Sequence, residues 1–309
     1  MQTRSRLNRR DFLKLLLVAG VGLPAAVAGY GLGVEPAWIE VTHTDIFLPG
    51  LPAPFDGFRI AHLSDLHYGT FLPLSRLERV VDLANALHPD LIALTGDYVS
   101  EPITTTYLLN RILDLPNLNF RRSPNAEALF GVCIPRLAQI EAPYGSLAVL
   151  GNHDHWVDAA VGRESLSAAG IRLIENRHAV LERGGATLAV AGVGDFWEGE
   201  QDLEAAFSGA PPAGEAPRLL LCHDPDYAVY SAVERQRVSL MLCGHTHGGQ
   251  VTIPGWGAPI LPILNRQFAR GLVRTPWGQV YVSRGLGQSA PPVRLFTRPE
   301  IAVLHLHVA

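Results

Sequence analysis

Lysine is almost missing from this sequence: Lys14 is the only one in 309 residues. Arg4, Arg6, Arg9, Arg10 and Lys14 crowd the start of the chain against Asp11 alone, while the formal net charge of the whole is -4. The remainder is therefore mildly acidic. A body of that sign without lysine argues against a nucleic-acid surface built on a broad basic face. Cysteine is scarce too. Three residues, Cys133, Cys222 and Cys243, are too few and too scattered for a disulfide framework or a thiolate zinc site. Cys222 and Cys243 sit inside apolar runs and read as small buried hydrophobes. Charged residues make up 17% and hydrophobic ones 48%, which excludes a disordered chain. The length allows one large domain or two small ones, and there is no internal repeat.

What is present begins with a targeting segment. Arg9-Arg10-Asp11-Phe12-Leu13-Lys14 is a twin-arginine pair followed by apolar residues and a lysine. No charge follows from Leu15 to Gly33. A positive start, an apolar middle and then small residues follow the plan of a bacterial export signal. Ala26-Val27-Ala28 offers a cleavage site. The same stretch just reaches spanning length, so an uncleaved membrane anchor stays open. Either outcome leaves the body outside the cytoplasm. The pattern resembles signals read by the twin-arginine export machinery, which exports folded proteins. Residues 1–33 are thus set apart from a body at 34–309.

Within the body, strands alternate with helices. Trp38–Phe47 and Phe58–Leu63 read as strands. Ser75-Arg76-Leu77-Glu78 reads as a capping box, with Leu77, Val80, Val81, Ala84 and Leu87 following at helical spacing. Leu91–Thr95, Ser146–Leu150, Leu219–Cys222 and Val238–Leu242 are short apolar runs ending in glycine or ligand-type residues. A hairpin turns near Pro276-Trp277-Gly278, and a last strand covers Ile301–His307. This order predicts an α/β body of stacked sheets flanked by helices.

Five blocks share one grammar, an apolar strand with metal-ligand side chains at its carboxyl end. They are Asp65-x-His67, Gly96-Asp97, Gly151-Asn152-His153-Asp154, His223 and Gly244-His245-x-His247. In open α/β sheets ligands gather outside the carboxyl ends of strands, so residues distant in sequence can converge there. Carboxylate, imidazole and amide without thiolate suit Mn, Fe or Zn. The set is too rich in histidine for a calcium or magnesium cage. Asp65, His67, Asp97, Asn152, His223, His245 and His247 exceed one tetrahedral shell and suffice for two divalent ions sharing a carboxylate. Such a pair activates water and clamps the oxygens of a displacement at phosphorus. His153 is placed to protonate the leaving oxygen, with Asp154 to orient and cationise it.

Taken in this order, the blocks resemble the calcineurin-like metallophosphoesterases. The resemblance implies a four-layer α/β/β/α sandwich. It implies one metal on Asp65, His67, Asp97 and His247, and another on Asp97, Asn152, His223 and His245. Asp97 would bridge them, and His153 would be the catalytic histidine. Gly285-Leu286-Gly287, Pro291-Pro292-Val293-Arg294 and Arg298-Pro299-Glu300-Ile301, with the twin-arginine leader, resemble the exported YaeI/YkuE-type phosphodiesterases. That branch implies a phosphodiester substrate. Its relatives include a UDP-2,3-diacylglucosamine pyrophosphate hydrolase of lipid A synthesis, which implies a lipid-linked alternative. The long connection at 101–145 departs from the expected link and leaves the substrate open. From another class, a metal-stabilised envelope binding protein without turnover is the rival.

Plainer readings stand beside these. His62, inside a strand, reads as a packed core histidine. His155 either supports a ligand or faces solvent. Asp195 reads as a turn residue and Arg284 and Arg294 as structural ties. His43, His88, His178, His305 and His307 lack ligand context. The Tyr107–Phe120 leucines read as a helix on the core, or as a lid that admits a lipid-linked substrate.

Overall fold

A computed structural model describes residues 9–10, 18–101 and 123–309. The Tyr107–Phe120 leucines lie outside the described residues, so neither reading of them is decided.

Two six-stranded sheets form the centre. The first runs in the order β1 (Glu40–Leu48), β12 (Glu300–Val308), β2 (Phe58–Leu63), β3 (Leu91–Thr95), β4 (Ser146–Val149), β5 (Arg172–Leu173). The second runs β10 (Gly271–Arg274), β11 (Gln279–Val282), β9 (Val238–Cys243), β8 (Arg218–Leu221), β7 (Ala186–Gly192), β6 (Arg177–Arg183). Pairing within β2-β3-β4 and within β7-β8-β9 is parallel, so each group ends along one edge. The expected hairpin is β10 with β11, paired antiparallel around the turn.

Three separate apolar clusters show how the layers stack. Leu91 and Ala93 of β3 meet Leu219, Leu221, Leu240 and Leu242 between the sheets. Their neighbours Ile92 and Leu94 point the other way. They pack against Leu77, Val80 and Ala84 of α2 (Leu74–Ala86) and Phe130 and Ile134 of α3 (Ala126–Leu137). On the far side, Leu220, Met241 and Cys243 pack on Leu203 and Ala206 of α5 (Leu203–Ala206) and Val233 of α6 (Ser231–Arg235). Successive strand residues face opposite sides, so strands that are apolar throughout serve two cores at once. The result is an α/β/β/α sandwich. All three cysteines are free and buried, as their apolar settings imply.

One local detail differs from expectation. α2 starts at Leu74 behind Pro73, with no side-chain cap, so Ser75 and Glu78 form no capping box. Pro73 is extended and already stands as the cap residue, with the Leu77 N–H bonded to its carbonyl, which sets the start two residues earlier than Ser75 as a cap would. The helix after β4, α4 (Asn152–Ala168), is two helices joined at an extended Asp158. The Asp158 carboxylate accepts from the N–H groups of Ala160 and Val161 and restarts the second. At the amino end, α1 (Leu23–Gly29) lies in a helical stretch running from Val18 to Val34. Among the described residues, no helix is long and apolar enough to cross a membrane.

Candidate metal centre

The predicted ligands converge. Asp65, His67 and His247 bring ligand atoms within 4.8 Å of one another, and so do Asp97, His223 and His245. A third group, His67, Asp97 and His153, links the two. Each follows a strand end: β2 leads to Asp65, β3 to Asp97, β4 to Asn152, β8 to His223 and β9 to His245. One sheet thus contributes the first three positions and the other the last two.

The backbone there is unusual. Asp65, His67, Asp97, His245 and His247 all have left-handed backbones, with φ between 49° and 68°. Such conformations cost non-glycine residues about 1–3 kcal/mol each and persist only where the surroundings enforce them. Enforcement comes from close packing of the turns. A side chain at Gly244 would strike Ser64 and the Asp65 carboxylate, and one at Gly151 would strike Asp97. The glycines of both motifs therefore let one strand's turn enter another's.

Each donor is then aimed. The His153 backbone N–H, in the first turn of α4, donates to Asp97 Oδ1 (2.8 Å). That leaves Asp97 Oδ2 facing His67 Nε2 at 3.4 Å and His223 Nε2 at 3.2 Å. Asp65 accepts the His245 N–H and places Oδ1 3.6 Å from His247 Nε2. His223 Nδ1 donates to the Thr95 carbonyl (2.7 Å), because a carbonyl can only accept. Its Nε2 is thereby turned into the pocket, 3.2 Å from His245 Nδ1. His67 and His247 bring their Nε2 atoms to 3.0 Å.

Burial lowers His67 and His247 well below the ordinary histidine range and takes His245 down to about 3. These rings are neutral and ready to donate lone pairs. Burial also acts to lower His223, but Asp97 and its neighbours raise it well above that range. The carboxylates favour positive charge at this spot.

The residues fit divalent cations on three counts. Nitrogen and oxygen donors about 3.0–3.6 Å apart match the edges of a shell with bonds of roughly 2.0–2.2 Å. Asn152 Oδ1 is buried without a hydrogen-bond partner, an acceptor that a cation would satisfy. Neutral imidazoles with carboxylates and no thiolate are the donor set of first-row divalent metals.

Asp154 requires a correction. It was expected to orient the His153 imidazole, but its carboxylate is engaged with the backbone. Oδ2 accepts from Asp97 and Gly151 N–H (2.8 and 2.9 Å), and Oδ1 accepts from Tyr98 and Val99 N–H (2.9 and 3.3 Å). Asp154 clamps the turn after β3 to the start of α4. The His153 ring instead lies edge-on to His67 and against Trp156, with centroids 4.5 and 4.4 Å apart. It opens on a cleft of about 350 Å³ also lined by Asp97, Asn152, Trp197, His245 and His247.

His62 is the expected core histidine, bonded to Thr95 Oγ1 at 2.8 Å and lowered to about 4 by burial. Asp195 Oδ1 accepts from Trp197 and Glu198 N–H, a turn role as expected. His155 Nε2 is buried and lies 4.0 Å from the largely buried carboxylate of Glu175, which is outside the ligand set. Arg284 pairs with Glu300 and Glu40. Arg294 is fully buried and donates to the carbonyls of Arg284, Gly285, Gly287 and Thr297. Both are structural ties, yet Arg294 Nη2 also stands 3.4 Å behind His247 Nδ1. Sequence reading missed Asp224 and Trp197. Asp224 Oδ2 accepts from Trp197 Nε1 (2.8 Å) and lies 3.8 Å from His245 Nε2. Its position directly after His223 was the available signal.

An α/β/β/α sandwich with paired imidazole–carboxylate groups at its strand ends defines a metallohydrolase scaffold. The calcineurin-like phosphoesterase pattern matches residues 58–249, and the chain belongs to that family. It is 33% identical to the metallophosphoesterase YkuE of Bacillus subtilis, over 97% of this chain and 98% of that protein. It is also 33% identical to the phosphodiesterase YaeI of Escherichia coli, over 97% and 99%. The UDP-2,3-diacylglucosamine pyrophosphatase LpxG of Chlamydia muridarum is 25% identical over 93% and 95%. The chain is a metallophosphoesterase.

Proposed function

We propose that this enzyme is a binuclear metal-dependent phosphodiesterase acting outside the cytoplasm. Asp65, His67, Asp97 and His247 hold one divalent ion, and Asp97, Asn152, His223 and His245 hold the other. The observation that carries this is the position of Asp97 Oδ2, within 3.4 Å of a histidine from each group. Two bound ions supply Lewis acidity that activates water and neutralises charge at phosphorus. The chain does the rest. Asp97 is fixed by the amino end of α4, and His223 by Thr95, so the donors are oriented before any ligand arrives. His153, half-buried at the cleft, donates a proton to the leaving oxygen. Trp156 and Trp197 line the cleft beside it. Diester preference is supported by the likeness to YaeI. Export through the twin-arginine machinery is supported by Arg9-Arg10 and the uncharged run to Gly33.

The test is hydrolysis of an aryl phosphodiester by metal-free protein after addition of Mn, Fe or Zn. Activity should appear only with metal, and His245→Ala should lose both activity and bound metal. Tight metal binding without turnover would favour the non-catalytic binding protein. Undiminished turnover by His245→Ala would remove the assignment.

A further inference from the structure

The cleft has an apolar rim that the chemistry does not use. The segment from Val251 to Asn265 is pinned at both ends. Thr252 N–H donates to the Leu295 carbonyl, and Asp226 accepts from Leu264 and Asn265 N–H. Between these ties, Trp256, Ile260 and Leu264 are 71%, 80% and 92% exposed. Ile260 also lines the cleft, so this apolar surface reaches the mouth itself. Phe296, exposed and left-handed in backbone, is tied to the same segment, since Thr252 Oγ1 donates to its carbonyl.

The same rim receives the amino-terminal helical stretch. Arg294 N–H donates to the Gly31 carbonyl (2.9 Å), and Gly31 packs so closely on Val293 and Arg294 that a side chain there would crowd both. Val293 lines the cleft. Glu35 accepts the Thr297 N–H. Leu23, Val27, Leu32 and Val34 on this stretch are exposed. An uncharged stretch with exposed leucines and valines is therefore seated beside exposed tryptophan, isoleucine and leucine side chains, at the entrance to the phosphoesterase cleft. Exposed apolar patches of this kind mark interaction surfaces, and tryptophan favours the lipid–water boundary.

We propose that the surface formed by Ile253, Trp256, Ile260, Leu264 and Phe296 lies on a lipid bilayer, so that the cleft opens into the headgroup layer. The occupant is the bilayer because the neighbouring segment is itself suited to lipid. This deepens the phosphodiesterase reading and rests on it for the substrate: a phosphodiester borne on a lipid, presented headgroup first.

The test uses the full-length chain, residues 1–33 retained, in phosphatidylethanolamine–phosphatidylglycerol vesicles. Tryptophan fluorescence is quenched with brominated acyl chains and separately with aqueous iodide, for wild type and Trp256→Phe. The part of the signal that Trp256→Phe lacks should be quenched by bromolipid and sheltered from iodide. Quenching of that part by iodide alone would overturn the proposal in favour of a water-facing loop. Shelter from both quenchers would overturn it in favour of a second copy of the chain. Quenching needs no turnover, so it stands apart from any failure of the catalytic reading. In a companion assay, Trp256→Glu with Leu264→Glu should reduce hydrolysis of a vesicle-borne diester about tenfold and spare a soluble aryl diester. Equal loss on both substrates would sink the lipid-facing role.

Discussion

Of two regions among the described residues that gather histidines and carboxylates, one has the makings of a reactive centre and the other does not. At the strand ends, His67 and His247 meet at 3.0 Å beside Asp65 and Asp97. On the outer edge of the first sheet, His43 and His305 also meet at 3.0 Å, with His307 3.1 Å from Asp45. The distances are alike. The outer groups are solvent-facing, stand on regular β1 and β12 pairs, and satisfy one another by ordinary hydrogen bonds. The inner groups are buried, sit on left-handed backbone, and are held by Thr95, His153 N–H and His245 N–H. Proximity alone does not build a site. Removal from water, which leaves lone pairs needing a cation, and rigid aim together do.

That contrast can be broken at three depths. The largest effect is expected from His153→Ala, with kcat lower by about 10²–10⁴ and bound metal retained. Leaving-group dependence sharpens it. The loss should be greater for an alkyl than for a nitrophenyl diester, because the poorer leaving oxygen needs the proton more. Equal losses would mean the ring serves packing alone. Next comes Asp224→Asn. It keeps the shape but removes the charge 3.8 Å from His245, so metal affinity should fall about 10–100-fold with the fold intact, as metal titration would show. Smallest is the double change His43→Ala, His305→Ala at the outer edge. Activity should hold within error, and stability within about 0.5 kcal/mol by denaturant unfolding. A measurable loss of activity there would mean that the two regions communicate.

The seven ligand-type residues were legible because each ends an apolar run, and strand ends are where turns can carry polar groups. Asp154 was legible as part of the motif and misjudged in its task. Its neighbour His153 is adjacent along the chain, but its partners are the N–H groups of Asp97, Gly151, Tyr98 and Val99, which only folding brings to it. The capping box at Ser75 failed for a related reason. Pro73 fixed the entry to α2, and that local geometry outweighed a favourable side-chain pattern.

By itself the sequence determined the strand-and-helix order, the chemistry of the donor set and the basic start followed by an uncharged run, because periodicity and residue type are carried locally. The tertiary structure alone decided how Asp97 Oδ2 is aimed between the two histidine groups and that Asp154 faces backbone. It also decided that Gly31 docks on the cleft rim. Those facts depend on which turns from two packed sheets enter one another, and that is set by the shapes of surfaces remote from each other in the chain.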